Sequence, residues 1–436
     1  MGQRRFAVGL GLIGLAAFVG RVVYVVTVTR HSTIMTDELW YTITADRLAS
    51  GEGFTSPGFP WPAGTELAEH PPLPSVLLAP WVWLSDIHSD MPRFVVAAFG
   101  ALVVVLVGLV ANEVAGRRPG LVAAGLAAVY PNLWVNDGLL MSETFAALGA
   151  ALTLYAAYRL RRRHTVVAAV MAGVAVGVAA LARAELVLLL PLLVVPLALA
   201  SPGAPLRRRA LLASSAALAC LLTVTPWVAY NLGRFDEPVL FTHDGGTLLG
   251  ANCDDTYSGS RLGFWNGYCT LSHPTGDESV QSAEMRRAAF RYMADNVGKL
   301  PVVVAARIGR GWGVFRPFDA VEANRFDGRP RWISLTAIWS TWVVGGLAIV
   351  GAVALRRRGE SLFVLAMPVV VVTLTMAAIY GRDRFRVPAE VALVVLAAVA
   401  LDAVARRRAA TEGPGQAEIG PDPPVDAAAV PAGSIG

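Results

Sequence analysis

Along this chain apolar residues run in blocks and do not alternate with polar ones. The blocks fall near 6–28, 93–114, 120–136, 142–159, 165–182, 185–200, 210–230, 334–355, 361–380 and 388–405. A bilayer core takes roughly 20 apolar residues per helix, so these ten blocks predict ten spans of an all-α polytopic membrane protein. The first block resembles a secretory signal, but its apolar region is too long and no small-x-small site follows, so it is expected to stay as the first span. A further run, "PPLPSVLLAPWVWL", is too short to span and is expected to lie at the membrane interface.

The polar positions between the blocks orient them. Arginine comes in short runs: Arg4-Arg5, Arg117-Arg118, Arg161 to Arg163, Arg207 to Arg209, Arg356 to Arg358 and Arg406 to Arg408. With a cytoplasmic N-terminus, every later run follows an even-numbered span and is also cytoplasmic, as the positive-inside rule requires. The expected location is the cell membrane, with both termini cytoplasmic. The outer side then receives a first loop of about 29–92, a tight loop from Asn136 to Thr144, a turn from Arg183 to Glu185, a long loop of about 231–333, and Gly381 to Pro388.

Composition supports the membrane reading: 55% of residues are hydrophobic, 16% are charged and the mean hydropathy is +0.53. The excess of arginine, with a pI near 9.3, suggests nucleic acid only if the cations share one face, and they do not. The expected organisation is one transmembrane domain over 1–405, followed by a disordered cytoplasmic tail over 406–436 that is rich in Ala, Pro and Gly. Cys253 and Cys269 share the long outer loop, where oxidation is permitted, and are expected to form a disulfide; Cys220 lies inside a span. Around them, His243, His273, Asp254 and Asp255 show no recognisable metal-ligand spacing, so no metal site is assigned.

Candidate chemistry starts at "TDELWY", residues 36–41. Thr36 followed by Asp37 and Glu38 is what an ordinary helix start looks like: a capping hydroxyl, then acids at the positive end of the dipole. If the helix continues, Asp37, Tyr41, Thr44 and Leu48 share one face. The first loop then runs through Gly- and Pro-rich sequence to Glu69-His70-Pro71-Pro72-Leu73. This arrangement resembles the C-type glycosyltransferases, in the branch of the protein O-mannosyltransferases and the enzymes that move aminoarabinose onto lipid A. Arg93 opening the second span, "VYPNLWVNDGLLMSET" with Glu143, "LARAEL" with Arg183, and "YGRDRFRVPAE" with Arg382, Arg384 and Arg386 also look like elements of that branch. There are two departures: Glu143 stands where several relatives look to have Asp, and His70 where others carry Lys.

The resemblance implies an inverting transfer of a sugar from a polyprenyl-phosphate donor to an extracytoplasmic acceptor, which could be an envelope glycan, a lipid or a protein. Such a donor leaves as a stable anion, so the site needs cations to hold the phosphate and a carboxylate to deprotonate the acceptor. Asp37 is the candidate base and Glu143 a second catalytic acid. Glu38, Tyr41, Glu69, His70, Arg93, Arg183, Arg382, Arg384 and Arg386 are candidates for substrate or donor binding, and dependence on a divalent cation is left open. Plainer roles remain for each: headgroup contact for the three arginines, a solvated acid for Glu143, mutual pairing for Arg183 and Glu185, and a loop position for His70. A transporter or flippase, or a non-catalytic scaffold, is the alternative class; the midplane charges and repeat symmetry of a transporter are not evident, Arg21 being the main intramembrane charge.

Overall fold

A computed structural model of the chain describes residues 2–30, 37–58, 61–86, 88–237, 239–271 and 276–411. Thr36, His273 and the tail beyond residue 411 lie outside them. Among the described residues the chain is helical and contains no strand, only an isolated antiparallel bridge between Thr55 and Glu66. Every block read as a span carries helix, but five helices are long and apolar enough to cross a membrane: Gln3–Thr29, Met91–Ala115, Leu206–Asn231, Arg331–Arg357 and Asp383–Arg408. The others are shorter or broken. The block at 120–136 is broken into Arg117–Val129 and a single turn at Pro131–Trp134, because Tyr130 is extended ahead of Pro131. Ala184–Leu199 passes through 3-10 and π turns, in a stretch containing Pro191 and Pro196, which donate no backbone hydrogen bond.

The helix Val387–Thr411 sits at the centre. It is apolar on nearly every side, and it packs on Met91–Ala115, Arg117–Val129, Glu143–Arg163, Arg331–Arg357 and Phe363–Ala378. Small residues let the helices close: a Cβ on Gly351 would lie 1.9 Å from the carbonyl oxygen of Leu396, and one on Gly173 would lie 2.0 Å from that of Ala216. The buried Arg21 pairs with Asp137, which also accepts from Thr144 Oγ1 at 2.7 Å. The same central helix continues through the Arg406 run, so the expected tail begins as helix and not as coil.

Polarity separates the two ends of this bundle. At one end Arg162 meets Glu113 at 2.8 Å, while Arg118 and Arg406 share Asp402 at 3.3 and 2.7 Å. At the other ends of the same helices lie Glu143 and the Arg382 to Arg386 turn, capped by the first and long loops. Asp37–Ala49 packs on Leu73–Ser85 through Ala45, Leu78 and Val82, with Thr44 Oγ1 bonded to Ser75 Oγ at 2.6 Å. The segment read as a long loop is largely helical, with His243–Ala251, Glu278–Asp295, Leu300–Gly311 and Asp319–Phe326. Cys253 and Cys269 are bridged within it. Trp227 is buried and donates to the Leu240 carbonyl, Trp61 is partly buried and lines a cavity, and Trp83 is largely exposed.

Candidate active site

Asp37 opens its helix with the carboxylate turned toward the Asp383–Arg386 turn that leads into the central helix. Arg384 Nη2 lies 2.8 Å from one of its oxygens, and His70 Nε2 lies 3.9 Å from the other. Tyr41, one helical turn on, stacks on the His70 ring at 5.3 Å between centroids, and Trp40 meets it edge-on. Pro71-Pro72 end the loop just after His70, and the helix starting at Leu73 anchors it. The pattern that suggested a shared face for Asp37 and Tyr41 is realised, and both line one cavity.

His243, at the start of the helix His243–Ala251, completes this cluster. Its Nδ1 lies 3.0 Å from Glu69 Oε1, and its ring is 4.8 Å from that of His70. Ligand atoms of Glu69, His70 and His243 lie within 4.8 Å of one another, and two imidazoles with one carboxylate are a donor set that a zinc-type divalent cation would fit. Sequence spacing missed this set because His243 lies far along the chain from the Glu69-His70 pair.

Arg384 gathers negative charge. Besides Asp37 it lies 3.8 Å from Glu143 and 3.9 Å from Asp327, and Asp327 also pairs with Arg382. Arg183 lies 2.7 Å from Glu185 and 3.5 Å from Glu143, with its guanidinium over the Phe385 ring. The Nε and Nη1 of Arg384 and the Nε of Arg382 have no hydrogen-bond partner although they are buried, which leaves donors for an incoming acceptor atom.

These charges set the protonation states. Burial alone would raise the Asp37 carboxyl, but Arg384 overrides it and holds the group well below the usual carboxylate range. Burial brings His70 down to about 4 despite the Asp37 charge, so its imidazole is neutral near pH 7. Burial would also lower His243, yet its bond to Glu69 raises it, and that bond lowers Glu69 in turn.

Two cavities share the wall formed by Asp37, Glu69, His70, His243, Tyr380 and Arg384. The larger, about 880 Å³, extends past Arg382 and Asp327 into the long loop. The smaller, about 440 Å³, reaches Arg183 and the ends of the two shorter apolar helices Val166–Ala182 and Phe363–Ala378, among Ala182, Val187, Leu240, Leu248 and Ile379.

Other sequence candidates lie elsewhere. Glu38 and Arg93 form a buried pair at 2.9 Å, with Glu38 also accepting from Leu140 N and Arg93 donating to the Gly138 carbonyl, so neither reaches a cavity. Arg386 is buried against Glu390, Thr341 and the Gly311 carbonyl, in a network that also includes Tyr130 and Asn132, and so is turned away from both large cavities. Glu143 is buried behind Arg183 and Arg384, and neither of its carboxylate oxygens has a hydrogen-bond partner. From sequence, His243 is weighed only as a metal ligand beside the cysteine loop, and Asp327 is not among the candidates.

Known structures share the fold that carries this arrangement. The Archaeoglobus fulgidus oligosaccharyltransferase in its apo form superposes over 94% of this chain with a TM-score of 0.56 at 14% identity. The chain has the C-type glycosyltransferase fold. It spans about half of that enzyme, 52% of its length. A second structure of the archaeal enzyme, in complex with an inhibitory peptide and a dolichol-phosphate, gives a TM-score of 0.53 at 14% identity, with the same 94% and 52% coverage. ArnT from Cupriavidus metallidurans bound to undecaprenyl phosphate is 17% identical, with 94% of this chain and 80% of that one covered and a TM-score of 0.45. Residues 69–230 match the family described as dolichyl-phosphate-mannose-protein mannosyltransferase, a stretch that contains Glu69, His70, Glu143 and Arg183 but neither Asp37 nor the Arg384 turn. No curated protein matches the chain by sequence.

Proposed function

We propose that this chain is a membrane glycosyltransferase that moves a sugar from a polyprenyl-phosphate donor to an acceptor on the extracytoplasmic side of the cell membrane. The observation that carries the reading is Asp37 lying 2.8 Å from Arg384 on the wall common to both cavities. A base and a phosphate-holding cation are thereby side by side, with a space for a substrate on either hand. The smaller, more apolar cavity takes the donor, because it opens at the ends of membrane helices where a lipid phosphate would lie. Support comes from relatives of the same fold: an archaeal oligosaccharyltransferase structure that contains dolichol-phosphate, and the family match to mannosyltransferases named for such a donor.

In the reaction an acceptor hydroxyl attacks the anomeric carbon while Asp37 takes its proton. The bond from that carbon to the phosphate oxygen breaks, and the electron pair leaves with the polyprenyl phosphate. Arg384 stabilises this anion with its unpartnered donors, and Arg183 assists from the smaller cavity, while Arg382 lines only the larger cavity and faces the acceptor side. Attack opposite the leaving group inverts the anomeric centre. His70, Tyr41 and Glu69 shape the wall around Asp37, and Glu143 aims Arg183 and Arg384. The proposed enzyme is one domain through residue 405 with ten spans, its arginine runs cytoplasmic.

Deleting the gene tests this reading. The strain should accumulate a polyprenyl-phosphate sugar and lose one envelope glycosylation, and an Asp37→Asn copy should restore neither. Unchanged lipid-linked sugars and envelope glycans would refute it.

A further inference from the structure

The larger cavity has a wall of its own. Ser260, Arg261, Phe264, Trp265, Asn266 and Gly267 line it, and all six lie between the bridged Cys253 and Cys269. We propose that this disulfide-closed segment recognises the acceptor, and that the acceptor is a saccharide. The proposal rests on the transferase reading above and adds the class of molecule that receives the sugar.

The rings of this wall are fixed in place, and Phe264 and Trp265 each keep part of their surface exposed. Trp265 Nε1 donates to the Gly246 carbonyl at 3.2 Å, which fixes an indole that is only half-buried. Phe264 has the Arg310 guanidinium 5.5 Å from its centroid and that of Arg382 at 5.6 Å. Trp61 and Phe326 contribute further aromatic surface to the same cavity. Planar polar groups stand among them: Arg261, Arg316, Asp319 and Glu322. A sugar ring presents a C–H face that packs on an aromatic ring and a rim of hydroxyls that pair with carboxylates and guanidinium groups, so this mixture suits it. A volume of about 880 Å³ is near the upper end of the roughly 300–1,000 Å³ usual for small-molecule sites, enough for several linked sugars.

A lipid acceptor fits less well, because it would bury the charged groups of Arg261, Arg316, Asp319 and Glu322 against hydrocarbon.

The wall is also joined to the reacting centre. Gly381 N donates to the Gly263 carbonyl at 3.0 Å, one residue before Arg382, and Arg310 donates from Nε to the Leu262 carbonyl at 2.6 Å. An acceptor lying on Phe264 and Trp265 would therefore be held in register with Arg382, and the cavity leads from there to Asp37.

The test uses the full chain in lipid nanodiscs, probed with an array of neutral oligosaccharides, an array of Ser- and Thr-containing peptides, and undecaprenyl phosphate. The parent should bind at least one oligosaccharide. Trp265→Ala and Phe264→Ala should each weaken that binding by about tenfold or more, while Trp265→Phe stays within about threefold. Undecaprenyl phosphate should bind all of these forms within about twofold of the parent. The saccharide proposal is overturned if no oligosaccharide binds, if binding ignores both alanine variants, or if peptides bind in a Trp265-dependent way. A parent that binds saccharide in a Trp265-dependent way but not undecaprenyl phosphate would support the acceptor wall and refute the donor reading, so the two fail separately.

Discussion

Replacing Arg384 with Gln removes the cation that faces three carboxylates, with Asp37 at 2.8 Å, Glu143 at 3.8 Å and Asp327 at 3.9 Å. At an effective dielectric near 20, the closest of these attractions is about 6 kcal/mol and the other two about 4 kcal/mol each, before the cost of burying the guanidinium is set against them. Removing one partner of a buried pair typically costs about 3–5 kcal/mol, because the remaining charges lose their compensation. For a chain of this size that amounts to roughly 3–6 °C in the thermal midpoint, read by melting purified protein in detergent. Losing a charge-assisted contact to phosphate should also weaken undecaprenyl phosphate binding by about 10- to 100-fold. Arg384→Lys should recover more stability than affinity, since an ammonium can face Asp37 but lacks the fork that leaves further donors free. If Arg384→Gln lowers the melting point as expected yet binds undecaprenyl phosphate like the parent, the arginine is only a structural counter-charge and the phosphate assignment is wrong.

Two further outcomes follow from the geometry. Glu38→Gln should destabilise the protein by about 3–5 kcal/mol by leaving Arg93 buried without its partner, while turnover per folded molecule stays within about twofold; a selective loss of turnover would return Glu38 to the site. Glu278, which accepts from Ala68 N and Thr242 Oγ1, is pushed up to about 7 by burial and the nearby Glu69 charge. A folded value above the unfolded one makes its stabilising contribution complete below pH 4.5 and lost as pH rises through about 7. Glu278→Gln should accordingly raise the melting point at pH 8 and leave it unchanged at pH 4.5, and equal shifts at both values would contradict the assignment.

The membrane elements were legible because a bilayer imposes a length and an apolar composition that one sequence displays directly. Their exact lengths were not: Pro131, Pro191 and Pro196 shortened or bent segments that hydropathy alone treats as continuous. In the long loop, Leu300–Gly311 is apolar for only part of its length, and its Arg307 and Arg310 look solvated in sequence; they are buried because they tie down the loop carbonyls of Ala251, Ser260 and Leu262. At the site, Asp37 and Tyr41 could be grouped by helical periodicity, and Arg382 and Arg384 by their crowding in one turn. Periodicity says nothing about contacts between distant segments, so Asp327 and the grouping of His243 with Glu69 and His70 were missed. For the same reason Glu38, Arg93 and Arg386 could not be told apart from site residues, since a buried ion pair and a substrate contact use the same side chains.

The account depends most on Asp37 acting as the base. The direct measurement is single-turnover transfer from the protein's own lipid-linked sugar, comparing the parent with Asp37→Asn in nanodiscs, with undecaprenyl phosphate affinity measured on the same samples. Removing a general base should lower the transfer rate by about 10²–10⁴ while the folded variant still binds the lipid phosphate. A folded Asp37→Asn variant that transfers sugar within about threefold of the parent rate, far above that range, would show that Asp37 only starts a helix and pairs with Arg384.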